Sequence, residues 1–366
     1  MSCLFRRGVD RSGNAVARYV ARINNTTAWC RVIYAAVVLG HLFAGLLACG
    51  DPPAAAPAGH EMQKTLETAR RFLRNQERTW REDNGCFSCH NQGIALRALW
   101  ISDPPDGSDP TAVPQHLRRW LVQPATWQTV DDPAGGDQRL ADLHFGRAAL
   151  AGQQRGILEI DQHVRAQIGR QIVAHLREGH WPADVTSPLA SPLSPGPMWG
   201  TLLACQILEE CDSASQWRPA LQAAYQWILQ TAPGNTPDVA AQLIAALPAE
   251  QHAVLDRCFQ QLRDSQNPDG GWGPFPGKPS EPFDTALVLI ALGRLLQIDN
   301  PPEVQRVVRE RITRGQTFLV RTQQPDGGWP ETTRPPGRES YPLRIATTAW
   351  VVEALGLTCP LSTRAK

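Results

Sequence analysis

The sequence predicts an all-α protein built from repeated helical hairpins. One observation is a motif, QNPDGGW at residues 266–272, that returns as QQPDGGW at residues 323–329. The glycines after Pro-Asp supply the backbone freedom that a tight turn needs. The other observation is that each turn leads through a Pro-rich loop into an apolar run, Thr285–Leu292 or Thr348–Leu355, typical of a closely packed helix. Each unit is therefore predicted as helix, Trp turn, loop and helix.

Four weaker copies of the same unit precede these two, so that six hairpins fill the chain from about Thr65 to Leu357. Self-similarity at a period of roughly 35–60 residues indicates a repeat architecture, in which each hairpin buries its apolar face against its neighbours. The fourth copy lacks the Trp turn. The weaker copies pair residues 65–76 with 92–100, 115–127 with 140–152, and 164–181 with 196–208, while residues 221–247 hold both helices of the fourth.

The Gln-x-x-Asp-Gly-Gly-Trp turns resemble the QW repeats of squalene and oxidosqualene cyclases, which the β-subunits of protein prenyltransferases share in looser form. This resemblance implies an α/α toroid, an (α/α)6 barrel in which six inner helices surround a central cavity and six outer helices surround them. It also implies that the Trp turns are structural. We expect Trp272 and Trp329 to hold neighbouring hairpins together, since an indole buries a large area and its N–H needs a fixed partner.

Length and composition are consistent with one large domain. The chain has 366 residues, 42% of them apolar, which is ample for a full core. We assign residues 63–358 to the toroid and residues 359–366 to a C-terminal tail. A formal net charge of +1 gives no electrostatic reason to expect a nucleic-acid partner.

The first 48 residues are typical of an export signal. The apolar run Val32–Ala48 follows an arginine-rich stretch, and its end, Leu46-Leu47-Ala48-Cys49, resembles a bacterial lipobox in which the cysteine is lipidated. Residues 49–62 are then predicted as a flexible tether. An uncleaved membrane anchor is the alternative, and both place the body outside the cytoplasm, at the periplasmic face of a membrane. The arginines are Arg6, Arg7, Arg11, Arg18, Arg22 and Arg31.

The segment Cys86-Phe87-Ser88-Cys89-His90 has the spacing of a c-type haem attachment site. Two thiols bind the porphyrin edge in such a site, and the adjacent histidine becomes the proximal iron ligand. A redox disulfide, half of a zinc site and ordinary buried thiols are the alternatives. The chain is similar to exported bacterial QW-repeat proteins that carry a Cys-x-Ser-Cys-His stretch before their first inner helix. We therefore expect His90 at the start of that helix, near the mouth of the cavity.

Three residues are candidates for the sixth ligand of such a haem: His144, His180 and Met198. Each also has an ordinary structural explanation, as a polar wall residue or as packing. If none of them binds, the iron keeps an open site, which favours ligand sensing or peroxide chemistry over electron transfer.

The enzymes in the resemblance imply further candidates. Squalene-hopene-type cyclases protonate an alkene with an Asp-x-Asp-Asp motif, and the nearest stretch, Thr129-Val130-Asp131-Asp132, lacks the first acid. Prenyltransfer needs zinc held by Asp-x-Cys and a later histidine; Asp256-Arg257-Cys258 matches the pair, but no histidine follows His252. Asp238 and Asp284, at the same end of neighbouring predicted inner helices, are candidate paired carboxylates.

These observations predict an exported, lipid-anchored toroid with a covalent haem, acting in periplasmic electron transfer with a redox partner or in ligand binding, like a cytochrome c. A haem-free scaffold for a hydrophobic or glycan ligand is one alternative. A divergent terpenoid-cyclase-like lyase or isomerase using Asp238 and Asp284 is the other. A disulfide between Cys205 and Cys211 is compatible with the sequence.

Overall fold

Helices dominate the part of the chain that the computed structural model describes, namely residues 57, 59–84, 89–102, 115–127, 137–182, 189–194, 196–211, 215–332, 334 and 341–359. For residues 80–84 and 89–91 only the backbone is described. These ranges contain no β-strand beyond a single bridge between Arg177 and His180. Residues 54–300 and 305–366 form one compact unit, to which the features below belong.

Twelve α-helices within these ranges form six consecutive hairpins. Odd-numbered helices are outer and even-numbered helices are inner. A π-helical turn, Cys89–Ile94, leads directly into α2. The helices are α1 (Gly59–Asn84), α2 (Ala95–Ser102), α3 (Gln115–Leu121), α4 (Gln138–Gln154), α5 (Gln162–His175), α6 (Gly196–Cys211), α7 (Arg218–Gln230), α8 (Thr236–Ala246), α9 (His252–Asp264), α10 (Pro282–Leu295), α11 (Pro302–Thr322) and α12 (Tyr341–Thr358).

The inner helices close into a ring. They pack against one another in chain order, and α12 packs against α10 on one side and against α2 on the other. Almost every residue of α10 is buried, and so is the middle of α12, from Ile345 to Val352, as expected for helices covered on all sides, whereas the outer helices bury one face only. The predicted all-α toroid of six hairpins is thereby confirmed.

Both Trp turns are structural, as predicted, but the hydrogen bond of each indole lies within its own hairpin rather than between neighbouring hairpins. The indoles of Trp272 and Trp329 are fully buried. The Nε1–H of Trp272 donates to the carbonyl of Leu262 at 2.7 Å, and that of Trp329 to the carbonyl of Leu319 at 2.8 Å. Each indole thus satisfies a carbonyl near the end of the outer helix that precedes it.

A threonine on the following inner helix fixes the backbone of the Trp turn. The backbone N–H of Trp272 donates to Thr285 Oγ1 at 2.9 Å, and Trp329 donates to Thr348 Oγ1 at 3.1 Å. Trp181 in the third hairpin is held in the same way by Thr201, also at 2.9 Å. This shared contact confirms that the third hairpin carries a version of the same turn.

In the fourth hairpin a glutamine replaces the missing indole. The Gln242 amide on α8 donates to the carbonyls of Ile228 at 2.8 Å and of Thr231 at 2.9 Å. Ile228 lies three residues before the end-cap of α7, which is the position that Leu262 has relative to the end-cap of α9. Arg257 donates to Gln242 Oε1 at 2.8 Å. A polar side chain from the inner helix therefore caps the carbonyl that tryptophan caps in the fifth hairpin.

Several predicted boundaries differ from the observed ones. The inner helices α10 and α12 are longer than the apolar runs, because Pro282 and Pro342 suit a first helical turn. The first helix begins at Gly59, inside the predicted tether. Cys205 and Cys211 both lie within α6 and both are free thiols, so the structure contains no disulfide between them. The export signal and Cys49 lie outside the described residues, among which no helix is long and apolar enough to cross a membrane.

Candidate active site in the ring

The indole of Trp350 projects into the centre of the ring. Helix α12 has α2 and α10 as its ring neighbours. Trp350 nevertheless contacts Trp199 of α6, with ring centroids 6.1 Å apart, and lies 4.8 Å from the guanidinium carbon of Arg147 on α4. Only a side chain that crosses the ring can reach both helices. Phe283 of α10 extends this aromatic group, with its centroid 6.2 Å from Trp350.

Asp284 follows Phe283 in the first turn of α10 and is completely buried. Its Oδ2 accepts a hydrogen bond from Arg334, whose guanidinium also contacts Glu281 at 3.0 Å and lies 5.7 Å from the Phe283 ring centroid. Its Oδ1 accepts no hydrogen bond from any described residue. One oxygen of this carboxyl is therefore held by an ion pair, and the other is buried and unsatisfied.

Burial raises the pKa of Asp284 to about 7. The loss of hydration is the largest cause; Arg334 opposes it by stabilising the carboxylate, while Glu281 reinforces it as a neighbouring negative charge. An acid with this pKa is substantially protonated near neutral pH, so it can both donate a proton and recover one.

A short segment between α5 and α6, residues 190–193, fills the space beside these groups. Its carbonyls accept hydrogen bonds from three side chains of other hairpins: Arg334 binds Ala190, Trp350 Nε1 binds Pro192 at 3.0 Å, and His144 Nε2 lies 3.1 Å from the oxygen of Leu193. Ala190, Ser191 and Pro192 are buried. The chain thus occupies the centre of its own ring.

An ion-pair network lies about one helical turn beyond Trp350 along α12. Glu353 of α12 accepts from Arg147 on α4 and from Arg97 on α2, both at 3.2 Å. Burial opposes charge on Glu353, but the two arginines together lower the pKa of its carboxyl. Burial and the nearby Arg97 lower the pKa of Arg147 to about 9. Because α12, α2 and α4 meet here, this network fastens the two ends of the ring.

The two candidate catalytic carboxylates have separate surroundings. Asp238 caps its own loop, accepting from the Gly234 N–H at 3.1 Å and from the Asn235 amide at 2.9 Å, and burial raises its pKa. Asp284 pairs with Arg334. The electrostatic influences on each acid do not include the other. The structure therefore singles out Asp284 as the carboxyl of the ring centre.

The other predicted candidates have ordinary structural contacts where they are described. His180 stacks on Trp227 of the outer helix α7, with centroids 4.4 Å apart, and Met198 is buried in α6. Cys258 lies on the outer helix α9, where its thiol is 3.5 Å from Gln242 Oε1. Of the haem motif, residues 86–88 lie outside the described ranges, as do Asp131 and Asp132. No cluster of three metal-binding side chains occurs among the described residues.

The fold has clear counterparts among solved structures. A variant of the type II terpene cyclase MstE from Scytonema, in complex with the product merosterolic acid A, matches with a TM-score of 0.53 at 16% identity, covering 83% of this chain and 98% of that one. The fold is that of the type II terpene cyclases. Another MstE variant, in its apo form, gives a TM-score of 0.53 at 14% identity, again covering 83% of this chain and 98% of that one.

Sequence comparison gives a more limited likeness. Drimenyl diphosphate synthase of Streptantibioticus cattleyicolor is 35% identical over 96 residues, which are 26% of this chain and 16% of that protein. The synthase of Streptomyces showdoensis is 34% identical over 76 residues, 21% of this chain and 13% of that protein. No family model matches. The matched stretch spans less than a fifth of either synthase.

Sequence reasoning missed Arg334, Trp350 and residues 190–193. Arg334 is the one described residue of its Pro-rich loop between Thr332 and Tyr341, and no local pattern marks it as the partner of Asp284. The segment 190–193 has the composition of an ordinary loop. Trp350 had a usable signal, since an indole in the middle of a predicted inner helix needs space and an acceptor for its N–H.

Proposed function

We propose that this chain is a divergent terpenoid-cyclase-like enzyme, a lyase or isomerase that acts on an isoprenoid inside the ring. The observation that carries the proposal is the Asp284 carboxyl, which is completely buried, has one unsatisfied oxygen and stands beside an aromatic group at the centre of a terpene-cyclase fold. Export to the periplasmic face of a membrane, with an anchor at Cys49, is part of the proposal and rests on the sequence alone.

The chemistry follows from the surroundings of Asp284. The protonated carboxyl transfers its proton from Oδ1 to a carbon–carbon double bond, which becomes a carbocation, and Arg334 stabilises the carboxylate that remains. The faces of Phe283, Trp350 and Trp199 stabilise the cation. A carbon next to the cation then gives a proton back to the Asp284 carboxylate, and the electrons of the broken C–H bond form the new double bond. The product therefore has the same composition as the substrate.

The test is to incubate the purified protein with geranylgeranyl-bearing substrates and to search by mass spectrometry for products of unchanged mass and altered retention. Asp284→Asn is expected to abolish their formation, because an amide cannot donate the proton. Asp238→Asn is the matched control, since this half-buried acid also lies in the first turn of an inner helix but serves its own loop. Equal activity in the wild-type protein and Asp284→Asn would refute the proposal.

A second candidate function rests on the haem motif. The spacing of Cys86, Cys89 and His90 favours a covalent haem, which would supply redox chemistry to a periplasmic partner. Protein produced together with the cytochrome c maturation machinery is expected to keep a Soret absorption after acid–acetone extraction, and Cys89→Ser is expected to weaken it. A colourless protein from the same cells would exclude this function and leave the first proposal intact.

A further inference from the structure

The centre of the ring is lined by hydrogen-bond donors. Arg334 and the Trp350 indole N–H both donate inward, and His144 Nε2 must carry its proton because it faces a carbonyl oxygen, which only accepts. These groups come from α4, from α12 and from the loop before α12. A lumen made only for hydrocarbon has no use for converging donors, which lose their hydration when buried.

The segment that meets these donors presents three carbonyl acceptors to them. Pro192 has no N–H, and the backbone N–H groups of Ser191 and Ser194 are used inside the segment, bonding Ser194 O at 2.8 Å and Ser191 Oγ at 3.1 Å. The carbonyls of Ala190, Pro192 and Leu193 are left to point at the ring. The segment thus acts as a row of oxygen atoms within the lumen.

One donor in the wall remains unused. The indole N–H of Trp199 is buried and has no hydrogen-bond partner among the described residues, although its ring contacts Trp350 directly. Buried indole N–H groups usually find an acceptor. The Oδ1 of Asp284 is likewise unsatisfied. Residues 190–193 therefore do not supply a hydrogen-bond partner to every buried polar group in the ring.

We propose that residues 190–193 stand in for the oxygen-bearing end of the ligand, which displaces them on entering the ring. The inference rests on the proposed function and specifies its substrate class: an isoprenoid carrying several acceptor oxygens, such as a carboxylate or a diphosphate, rather than a plain hydrocarbon. A hydrocarbon would leave the donors without acceptors, and each buried donor left unsatisfied costs about tenfold in affinity.

Binding and segment displacement are measured together by hydrogen–deuterium exchange on the full chain, without requiring turnover. The probes are geranylgeranoic acid, geranylgeranyl diphosphate and the oxygen-free hydrocarbon of the same chain length. We expect at least one oxygenated probe to bind about tenfold or more tightly than the hydrocarbon and to speed exchange at Ser191 and Ser194. The two oxygenated probes then distinguish a carboxylate from a diphosphate.

Trp350→Phe tests the donors directly, since it keeps an aromatic ring and removes the N–H that binds Pro192. The preference is the ratio of the affinity for the oxygenated probe to the affinity for the hydrocarbon. We expect Trp350→Phe to lower this ratio about three- to tenfold. Trp227→Phe, on an outer helix, is the matched control and is expected to leave the preference unchanged.

Three results would overturn the inference: hydrocarbon bound as tightly as the oxygenated probes, no probe bound at all, or a probe bound with exchange of residues 190–194 unchanged. Hydrogen–deuterium exchange is measured on the unsubstituted chain, so its result does not depend on whether the Trp350→Phe variant folds. Tight, displacing binding without product formation would instead sink the proposed catalysis and leave this inference standing.

Discussion

At the scale of single residues, the Asp284–Arg334 pair shows burial outweighing an ion pair. An arginine beside a carboxyl normally lowers its pKa, yet here the loss of hydration raises the pKa to about 7. A buried carboxylate is costly even when paired, and taking up a proton relieves that cost. The same imbalance that makes Asp284 a candidate acid therefore makes it a source of pH-dependent stability.

Asp284 stabilises the fold more at low pH than at neutral pH. The folded protein binds the Asp284 proton more tightly than the unfolded chain, whose pKa is near 3.8. Asp284 therefore lowers the free energy of unfolding as pH rises from about 4 to about 7, by at most about 4 kcal/mol. We expect Asp284→Asn to remove this contribution. Urea denaturation of both proteins at several pH values measures this contribution. The difference between their free energies of unfolding removes the contributions of the other acids, which both proteins share.

A difference that stays constant with pH would contradict this prediction. Asp326 offers an internal contrast of opposite sign. Although slight burial raises the pKa of its carboxyl, hydrogen bonds from Arg344 and the Gly328 N–H lower it on balance. Asp326→Asn should therefore change stability in the reverse direction with pH, being relatively more harmful above the ordinary pKa of aspartate than below it.

At the scale of helices and turns, the copies of the hairpin show what a sequence repeat can predict. The Pro-Asp-Gly-Gly-Trp turns predicted two hairpins because their glycines and indoles have fixed local roles. The Gly270 φ of +94° and the Gly327 φ of +96° are the left-handed values that glycine adopts without strain. The role of Gln242 was not predicted. This glutamine bonds the corresponding outer-helix carbonyl from the inner helix instead of from the turn, and no sequence motif relates it to the tryptophan.

The loss of the fourth turn also leaves a cavity. A hollow of about 490 Å³ lies between the loop before α8 and the surface of α9, beside the exposed Phe275. The Asp-Gly-Gly turn of the fifth hairpin packs on the matching surface of α11, where Arg314 and Arg321 donate to its carbonyls. The hollow lies where a turn of this kind is missing, outside the ring that holds Asp284.

Gln242→Leu tests the substitution of amide for indole. It removes the donor to Ile228 and Thr231 from a completely buried position and leaves both carbonyls unpaired. We expect the free energy of unfolding to fall by about 1–3 kcal/mol, the usual cost of an unsatisfied buried group. Chemical denaturation is the measurement.

Gln260→Leu is the control, because this glutamine is exposed on α9 and should change stability by no more than about 0.5 kcal/mol. Equal effects of the two variants would show that the Gln242 amide does not replace the indole N–H energetically.

At the scale of the whole molecule, the long-range contacts are the part that sequence could not supply. The hydrogen bonds to residues 190–193 come from positions 49, 158 and 144 residues away, so no window of sequence contains both partners. The ring itself was predictable, because a repeat of six similar hairpins with one inner and one outer helix each resembles a known closed architecture. The side chains and the loop segment that fill the ring could not be predicted, because their contacts depend on single residues rather than on the repeat.

Closure makes the first and last hairpins neighbours. The Gln323 amide donates to the carbonyl of Thr65 on α1 at 2.9 Å, and the turn it belongs to packs on the same helix. The equivalent contact between the consecutive hairpins five and six is made by the Gln266 amide, which donates to the carbonyl of Arg311 on α11 at 3.0 Å. A closed ring has no free end, so we expect the interface between hairpins six and one to contribute as much as an interior interface.

Gly327→Ala tests closure. A Cβ at Gly327 would lie 2.4 Å from the Thr68 carbonyl oxygen, and one at Gly270 would lie 2.4 Å from that of Arg314. Both substitutions combine a left-handed backbone, costing about 1–2 kcal/mol, with a clash costing about 1–3 kcal/mol more. Gly277→Ala has a φ of +73° with open space around it and should show the first cost only.

If the ring is one cooperative unit, Gly327→Ala and Gly270→Ala lower a single unfolding transition by similar amounts, and far-ultraviolet circular dichroism and tryptophan fluorescence follow that transition together. If hairpins one and six behave as loose ends, Gly327→Ala instead separates an early transition, because an open repeat array can unfold from its termini while the interior hairpins stay folded. An early transition in Gly327→Ala alone would therefore show that closure contributes little to stability, whereas matching single transitions mean that opening the ring costs as much as breaking it in the middle.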